Sequence, residues 1–381
     1  MMAQGLARYE NTLAGLERKG RRRILVERVG ADFCSNDYLA LAGSRRMAAA
    51  IVSAVQRGVP VGSGGSRLLR GNHPELEALE TEAAVFFATE RALYFGSGFA
   101  ANTALFSTLP QRGDLVVHDA LVHASVHEGI RAGRARAVAA AHNDASSFEQ
   151  AIELWRAEGG TGHPWIAVES LYSMDGDRAP LTELAAVAER HSGFLVIDEA
   201  HATGVFGPDG RGFATDLKNR ANVVVLHTCG KALGVSGALL GASAVLCDYL
   251  VNRARGFIYS TAPSPLMAAA VRQSLRMLVE EPQRRADFTA LCRFANAEFE
   301  KKLGVAGSGS QILPVLIGVN GRAVRIAARM RAEGFDIRAI RPPTVPEGTA
   351  RLRIAITLNV DQPTISRMFN RLTSIIAEEK P

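Results

Sequence analysis

The chain has 381 residues, 47% of them hydrophobic and 22% charged, with a formal net charge of +6 and a pI near 9.3. The length suggests one large domain and one or two smaller ones, and the balance is close to that of a typical globular protein and ample for a core. No Lys/Arg block is long enough for a nucleic-acid arm, and no apolar run reaches the roughly 18 residues of a membrane span. The N-terminus lacks the basic-then-apolar layout of a signal peptide, so the expectation is a soluble cytoplasmic protein that binds neither nucleic acid nor membrane. Four cysteines, at 34, 229, 247 and 292, form no CxxC pair and no zinc spacing, which fits a reducing compartment.

Residues 1–40 read as an arm, a helix followed by an extended segment ending in Asp32-Phe33-Cys34-Ser35-Asn36-Asp37-Tyr38-Leu39. The basic run Arg18-Lys19-Gly20-Arg21-Arg22-Arg23 within it is a solvated face or a contact for a substrate anion. From 41 to 275 the chain alternates. A helix over 46–57 precedes the loop Gly62-Ser63-Gly64-Gly65-Ser66, and Pro74 opens a helix to about 88, capped near Asn72 or His73. Strands are predicted at 92–95, 114–118, 135–139, 165–169, 194–198 and 222–227, with helical stretches between most of them. This alternation predicts an α/β fold with a mostly parallel sheet covered on both faces. A bridging helix over 265–280 leads into residues 276–381, a smaller α+β domain. Its predicted elements are a helix at 284–303, a strand at 312–317, a helix at 322–333, strands at 335–340 and 351–357, and a final helix.

Two of the apolar runs deliver ionisable groups at their carboxyl ends, where open α/β sheets bind ligands. Phe194-Leu195-Val196-Ile197 ends in Asp198-Glu199-Ala200-His201, and Val223-Val224-Val225-Leu226 leads into His227-Thr228-Cys229-Gly230-Lys231. An Asp, a His three residues on and a Lys 33 residues after the Asp suit pyridoxal phosphate (PLP) chemistry. The lysine would bond the cofactor aldehyde, and the aspartate would keep the pyridine nitrogen protonated. Taken singly, each of the three also fits a strand-end acid, a capping His or a surface Lys. Gly96-Ser97-Gly98-Phe99, between a strand and a helix, offers N–H groups to a phosphate, and Thr228 and the Ser260-Thr261 pair offer hydroxyls. His123 is a ring lid or a helix-terminal surface His; with His127 it is a poor zinc pair, for no third ligand is in view. Arg351 and Arg353 share one face of a strand, suited to bidentate capture of a carboxylate or to charge protection of a sheet edge.

Together these segments resemble the α-oxoamine synthases, fold-type I PLP enzymes that join an amino acid to an acyl thioester with loss of CO2. The resemblance rests on Ser35-Asn36-Asp37-Tyr38-Leu39, the Gly62–Ser66 loop, Ser97-Gly98-Phe99-Ala100-Ala101-Asn102 and Ser173-Met174-Asp175-Gly176-Asp177. It continues through Asp198–His201, Thr228–Lys231 and Ile258-Tyr259-Ser260-Thr261. The segment Arg341-Pro342-Pro343-Thr344-Val345-Pro346 through Arg353 looks most like the members that take L-alanine and a pimeloyl thioester, on CoA or a carrier protein, in biotin synthesis. Sister synthases (glycine C-acetyltransferase, 5-aminolevulinate synthase), a PLP aminotransferase and a non-catalytic partner subunit are the alternatives. Ala40 and Ala202 stand where the family commonly has Gly, and Ala232-Leu233 where it has Gly-Phe.

The resemblance implies a homodimer with shared active sites. It implies Lys231, His123, Asp198, His201 and Asn36 as catalytic, with His123 stacked on the ring and His201, with Ser173, beside the phenolic oxygen. It places Ser97, Gly98, Phe99, Glu169, Thr228 and Thr261 in the cofactor site, Thr261 from a second subunit. Arg353 and Asn36 would meet the amino-acid carboxylate, and Arg21, Arg341 and Thr344 would lie on the acyl-substrate side.

Overall fold

The apolar runs in the middle of the chain assemble into one seven-stranded sheet in this computed structural model, which describes residues 2–217 and 220–379. The strand order is Arg91–Phe95, Ala238–Ala242, Val223–Thr228, Phe194–Asp198, Pro164–Glu169, Leu115–Asp119, Arg136–Ala140. Every pairing from Val223–Thr228 onward is parallel, and Ala238–Ala242 runs antiparallel to both its neighbours. The β-branched runs alternate between two cores because the strands are covered on both faces. Val196 packs with Trp165, Leu105 and Phe106 on one side, while Leu195 and Ile197 pack with Phe148, Ile152 and Leu184 on the other.

The strand Ala238–Ala242 is absent from the sequence reading. Its five residues lack β-branched side chains and carry Gly241, so nothing in the pattern marks it as extended. Its entry is set by Gly237, at φ 94°, where a Cβ would fall 2.4 Å from the Tyr94 ring. Tyr94 Oη also donates to the Ser236 carbonyl at 2.7 Å, so the aromatic residue of one strand seats the turn into its neighbour.

The chain forms two compact units. The larger holds the seven-stranded sheet and comprises Leu39–Ser173 and Asp177–Ala286. Within it Ala40 adopts φ 52°, a left-handed conformation that costs an alanine about 1–2 kcal/mol and a glycine almost nothing. The smaller comprises the chain up to Tyr38, Met174–Gly176 and the chain from Asp287. Its antiparallel sheet has the order Arg338–Ile340, Ala350–Ala355, Ile312–Gly318, and Phe299 packs edge-on to Phe369 beneath. Two expectations change here. The predicted strand 335–340 divides at Ile337: Phe335–Asp336 pairs parallel with Ala31–Asp32, and Arg338–Ile340 pairs with Arg351–Arg353. The Arg351/Arg353 strand is the central one and buried throughout, so charge protection of an edge is not its role.

Candidate active site

All strands of the large sheet except Ala238–Ala242 point the same way, so their carboxyl ends gather along one edge. Phe95 leads there into Ser97–Gly98, Asp119 into His123, Glu169 into Ser173, Asp198 into His201 and Thr228 into Lys231. Glu169 and Asp198 are register partners on adjacent strands.

Asp198 is almost fully enclosed, and both its oxygens are held: Oδ1 accepts from the Ala200 N–H and Oδ2 from Asn102 Nδ2, each at 2.9 Å. The second N–H of the Asn102 amide goes to Ser125 Oγ at 3.0 Å, and Ser125 Oγ lies 2.8 Å from His123 Nδ1. Since the Ser125 backbone N–H also points at Nδ1, that ring nitrogen is the acceptor and the His123 proton sits on Nε2. Partial enclosure lowers the His123 pKa; Asp198 opposes this and Lys231 adds to it. The ring is thus a neutral, flat surface beside Asp198. Phe99 meets it edge-on at 6.4 Å.

Glu169 is buried, its Oε2 accepts the Ser173 N–H at 3.1 Å, and its Oε1 has no partner among the described residues. Burial, then Asp198, push its pKa up to about 8, against the pull of Lys231 and the Ser173 N–H. The shift favours its protonated form. His201 is buried in the turn after Asp198, and Lys231 is half-buried in the turn after Thr228.

Ser97 caps the helix Gly98–Thr108 by accepting the Ala100 N–H, which leaves the Gly98 and Phe99 N–H groups with no acceptor inside the helix. A Cβ on Gly98 would stand 2.7 Å from Thr228 Cγ2, so the glycine lets that helix start against the Thr228 side chain. N–H donors at a dipole end form a cradle for a phosphate, and the Thr228 side chain lies against it through its methyl, with its hydroxyl donating to the Ala200 carbonyl at 3.4 Å. An orphaned oxygen on the buried Glu169, a braced carboxylate at Asp198 and the flat His123 imidazole complete a donor set that fits PLP. Thr261 is exposed on the larger unit and bridged to Ser66.

In the smaller unit Arg353 is buried and donates to Asn36 Oδ1 at 3.0 Å, with Tyr38 Oη at 3.5 Å. Arg351 pairs instead with Asp175. Arg21 is engaged by Glu347, Arg341 donates to the Gly20 carbonyl at 2.9 Å, and Thr344 Oγ1 accepts from Arg23 at 3.3 Å. The Arg341–Pro346 loop and the basic run therefore meet. Asn102 and Ser125 were not singled out as site residues, although a lone Asn amid the apolar residues of the helix Gly98–Thr108 was a visible signal.

Residues 29–372 match the aminotransferase class I and II family, and the chain belongs to it. Within that family it is 41% identical over 369 residues to the 8-amino-7-oxononanoate synthase of Geobacter sulfurreducens, covering 96% of this chain and 93% of that one. The solved 8-amino-7-oxononanoate synthase of Francisella tularensis is 26% identical, with a TM-score of 0.77 and coverage of 92% and 98%. An SPT (serine palmitoyltransferase) variant solved with PLP is 25% identical, with a TM-score of 0.87 and coverage of 98% and 99%. Among the described residues no helix is long and apolar enough to cross a membrane.

Proposed function

We propose that this chain is a PLP-dependent acyltransferase that joins L-alanine to a pimeloyl thioester, releasing CO2 and free thiol and giving 8-amino-7-oxononanoate for biotin synthesis. The observation that carries this reading is the gathering of Lys231, Asp198, His123 and Glu169 at the carboxyl edge of the parallel strands, in a chain 41% identical to a synthase of that name. Bound PLP supplies an aldehyde that Lys231 can bond and a ring that accepts electrons from a carbon losing a proton or a carboxylate.

The chain's own residues do the rest. The Gly98 and Phe99 N–H groups and Thr228 hold the phosphate. Asp198, braced by Asn102, holds a proton at the ring nitrogen through a charge-assisted hydrogen bond. His123 covers the ring face without adding a charge, and His201 with Ser173 lies at the phenolic oxygen. Arg353, held by Asn36, takes the alanine carboxylate. The Lys231 amine removes the alanine Cα proton and, once CO2 has left, returns a proton to that carbon. Arg21, Arg341 and Thr344 stand toward the acyl substrate.

The working form in this reading is a cytoplasmic homodimer. Val61, Leu68 and Leu69 beside the glycine loop, with Tyr259 next to Thr261, leave much of their apolar surface exposed, which a second copy would cover. Four free cysteines agree with a reducing compartment.

The test is incubation of purified protein with PLP, L-alanine and pimeloyl-CoA, with products identified by mass spectrometry. Formation of 8-amino-7-oxononanoate is expected. Faster turnover of glycine with acetyl-CoA or succinyl-CoA would mark a sister synthase, and release of pyruvate with pyridoxamine phosphate would mark a transaminase.

A further inference from the structure

Apart from Arg21, the basic run Arg18–Arg23 has no role in the chemistry above, yet its end enters a groove of about 700 Å³ in the smaller unit, a volume typical of a ligand site. Five arginines line the groove, Arg22, Arg23, Arg331, Arg338 and Arg341, against one acid, Glu17. Glu17 is taken by Arg22 at 2.6 Å, and Arg338 pairs with Asp336 at 2.9 Å. The other three rest on neutral oxygens. Arg23 donates to Thr344 Oγ1 at 3.3 Å, Arg331 to the Glu27 carbonyl at 2.9 Å, and Arg341 to the Gly20 carbonyl at 2.9 Å. Arg331 Nε is buried with no partner among the described residues. Burial, and then the charge of Arg23, push the Arg341 pKa down, so an anion placed here would relieve both strains. Val324 and Ala328 contribute an apolar floor.

Three guanidinium groups without a carboxylate call for more negative charge than one carboxylate carries, and the floor calls for a flat or apolar body attached to it. We propose that this groove binds the phosphorylated nucleotide end of the coenzyme A thioester, with Arg23, Arg331 and Arg341 on the phosphates and the base on the floor. The assignment rests on the reading of the chain as a thioester-using synthase. It also suits the local geometry. The strand Arg338–Ile340 beside the groove pairs with Arg351–Arg353, and Arg338 lies directly opposite Arg353, about 5 Å away across the ladder. A thioester anchored by its nucleotide end would therefore lie one strand from the residue assigned to the alanine carboxylate.

The test titrates PLP-loaded protein with adenosine 3′,5′-bisphosphate by calorimetry at low salt, and compares kcat/KM for pimeloyl-CoA with that for pimeloyl-pantetheine, which lacks phosphate. The parent should bind the bisphosphate, and R23Q with R331Q should weaken binding at least tenfold. The same variant should reduce the preference for pimeloyl-CoA over pimeloyl-pantetheine by a similar factor. R23Q alone changes an exposed side chain, leaves the Arg331–Glu27 tie in place and should move both quantities in the same direction. No binding by the parent, or equal losses with both thioesters, would overturn the assignment, as would a loss confined to a carrier-protein thioester. Arginine-dependent bisphosphate binding without turnover of any pimeloyl thioester would leave the groove assigned and remove the proposed reaction instead.

Discussion

Asn102 Nδ2 donates to Asp198 Oδ2 at 2.9 Å across 96 residues of sequence, and through Ser125 the same amide reaches His123. Asp198 and His123, the residues proposed to hold the cofactor nitrogen and to cover the ring face, are therefore oriented by one side chain. Asp198→Asn keeps the shape and loses the charge, so exchange of the alanine α-proton, followed by NMR in D2O, should slow by ~10²-fold or more, about 2.7 kcal/mol of barrier. Asn102→Ala should slow it by about 10- to 150-fold, the scale of one hydrogen bond to a charged group, with PLP still bound. An exchange rate unchanged in Asn102→Ala would show that Asp198 needs no brace.

Lys231 should be the only lysine that borohydride links to the cofactor. Peptide mapping of the reduced protein should find the label on the peptide containing Lys231, and Lys231→Ala should lose both label and turnover while retaining its fold. A label on any other lysine would move the catalytic centre away from the turn after Thr228.

The contact between Gly98 and Thr228 gives a paired prediction. Gly98→Ala puts a Cβ 2.7 Å from Thr228 Cγ2, so the helix start must shift and PLP affinity should fall by about 1–3 kcal/mol. Adding Thr228→Ser removes that methyl and should recover part of the loss. Fluorescence titration with PLP measures both, and strictly additive losses would show that the two residues do not press on each other.

Arg353→Lys keeps the charge and loses the planar fork, so alanine affinity should fall by about 1–3 kcal/mol while PLP affinity holds. Alanine titration followed by the cofactor's visible absorbance reads the effect. A curve matching the parent's would leave Arg353 as a brace for Asn36 only.

His227 supplies a pH dependence of stability. It is buried, stacked on Phe87 at 3.6 Å and bonded to Thr203 Oγ1 at 2.8 Å, and burial pushes its pKa down to about 3. The unfolded chain takes up the proton near pH 6.5 and the folded chain does not, so the contribution is complete above about pH 6.5 and lost as pH falls toward 3. The slope is at most about 1.4 kcal/mol per pH unit. Urea unfolding at a series of pH values should show this fall in the parent and a shallower one in His227→Gln. Equal slopes would mean that other groups govern the acid limb.

The parts legible in the sequence share one physical cause. Phe194–Asp198 and Val223–Thr228 are β-branched and buried on both faces, so their ends could be located to a residue, and with them Asp198 and Lys231. Burial and spacing alone could not show the bracing by Asn102, because that contact forms only when the helix Gly98–Thr108 packs over the sheet. The break at Ile337 was hidden for a similar reason, since two sheets claim the one alternating run Phe335-Asp336-Ile337-Arg338-Ala339-Ile340. Glu169 was placed in the cofactor site, but its raised pKa comes from burial and then from the register that sets it beside Asp198, neither of which the spacing shows.

The antiparallel strand Ala238–Ala242 also shapes how the protein must be made. Arg91–Phe95 pairs with that strand alone, so its edge waits on a partner synthesised roughly 140 residues later. At about 5–20 residues per second, the nascent strand is unpaired on the ribosome for roughly 7–30 s, which is long beside the microseconds of local hairpin and helix formation. Leu93 and Phe95, buried in the finished sheet, are exposed through that interval, so slow translation or truncation before residue 238 should favour aggregation and capture by chaperones.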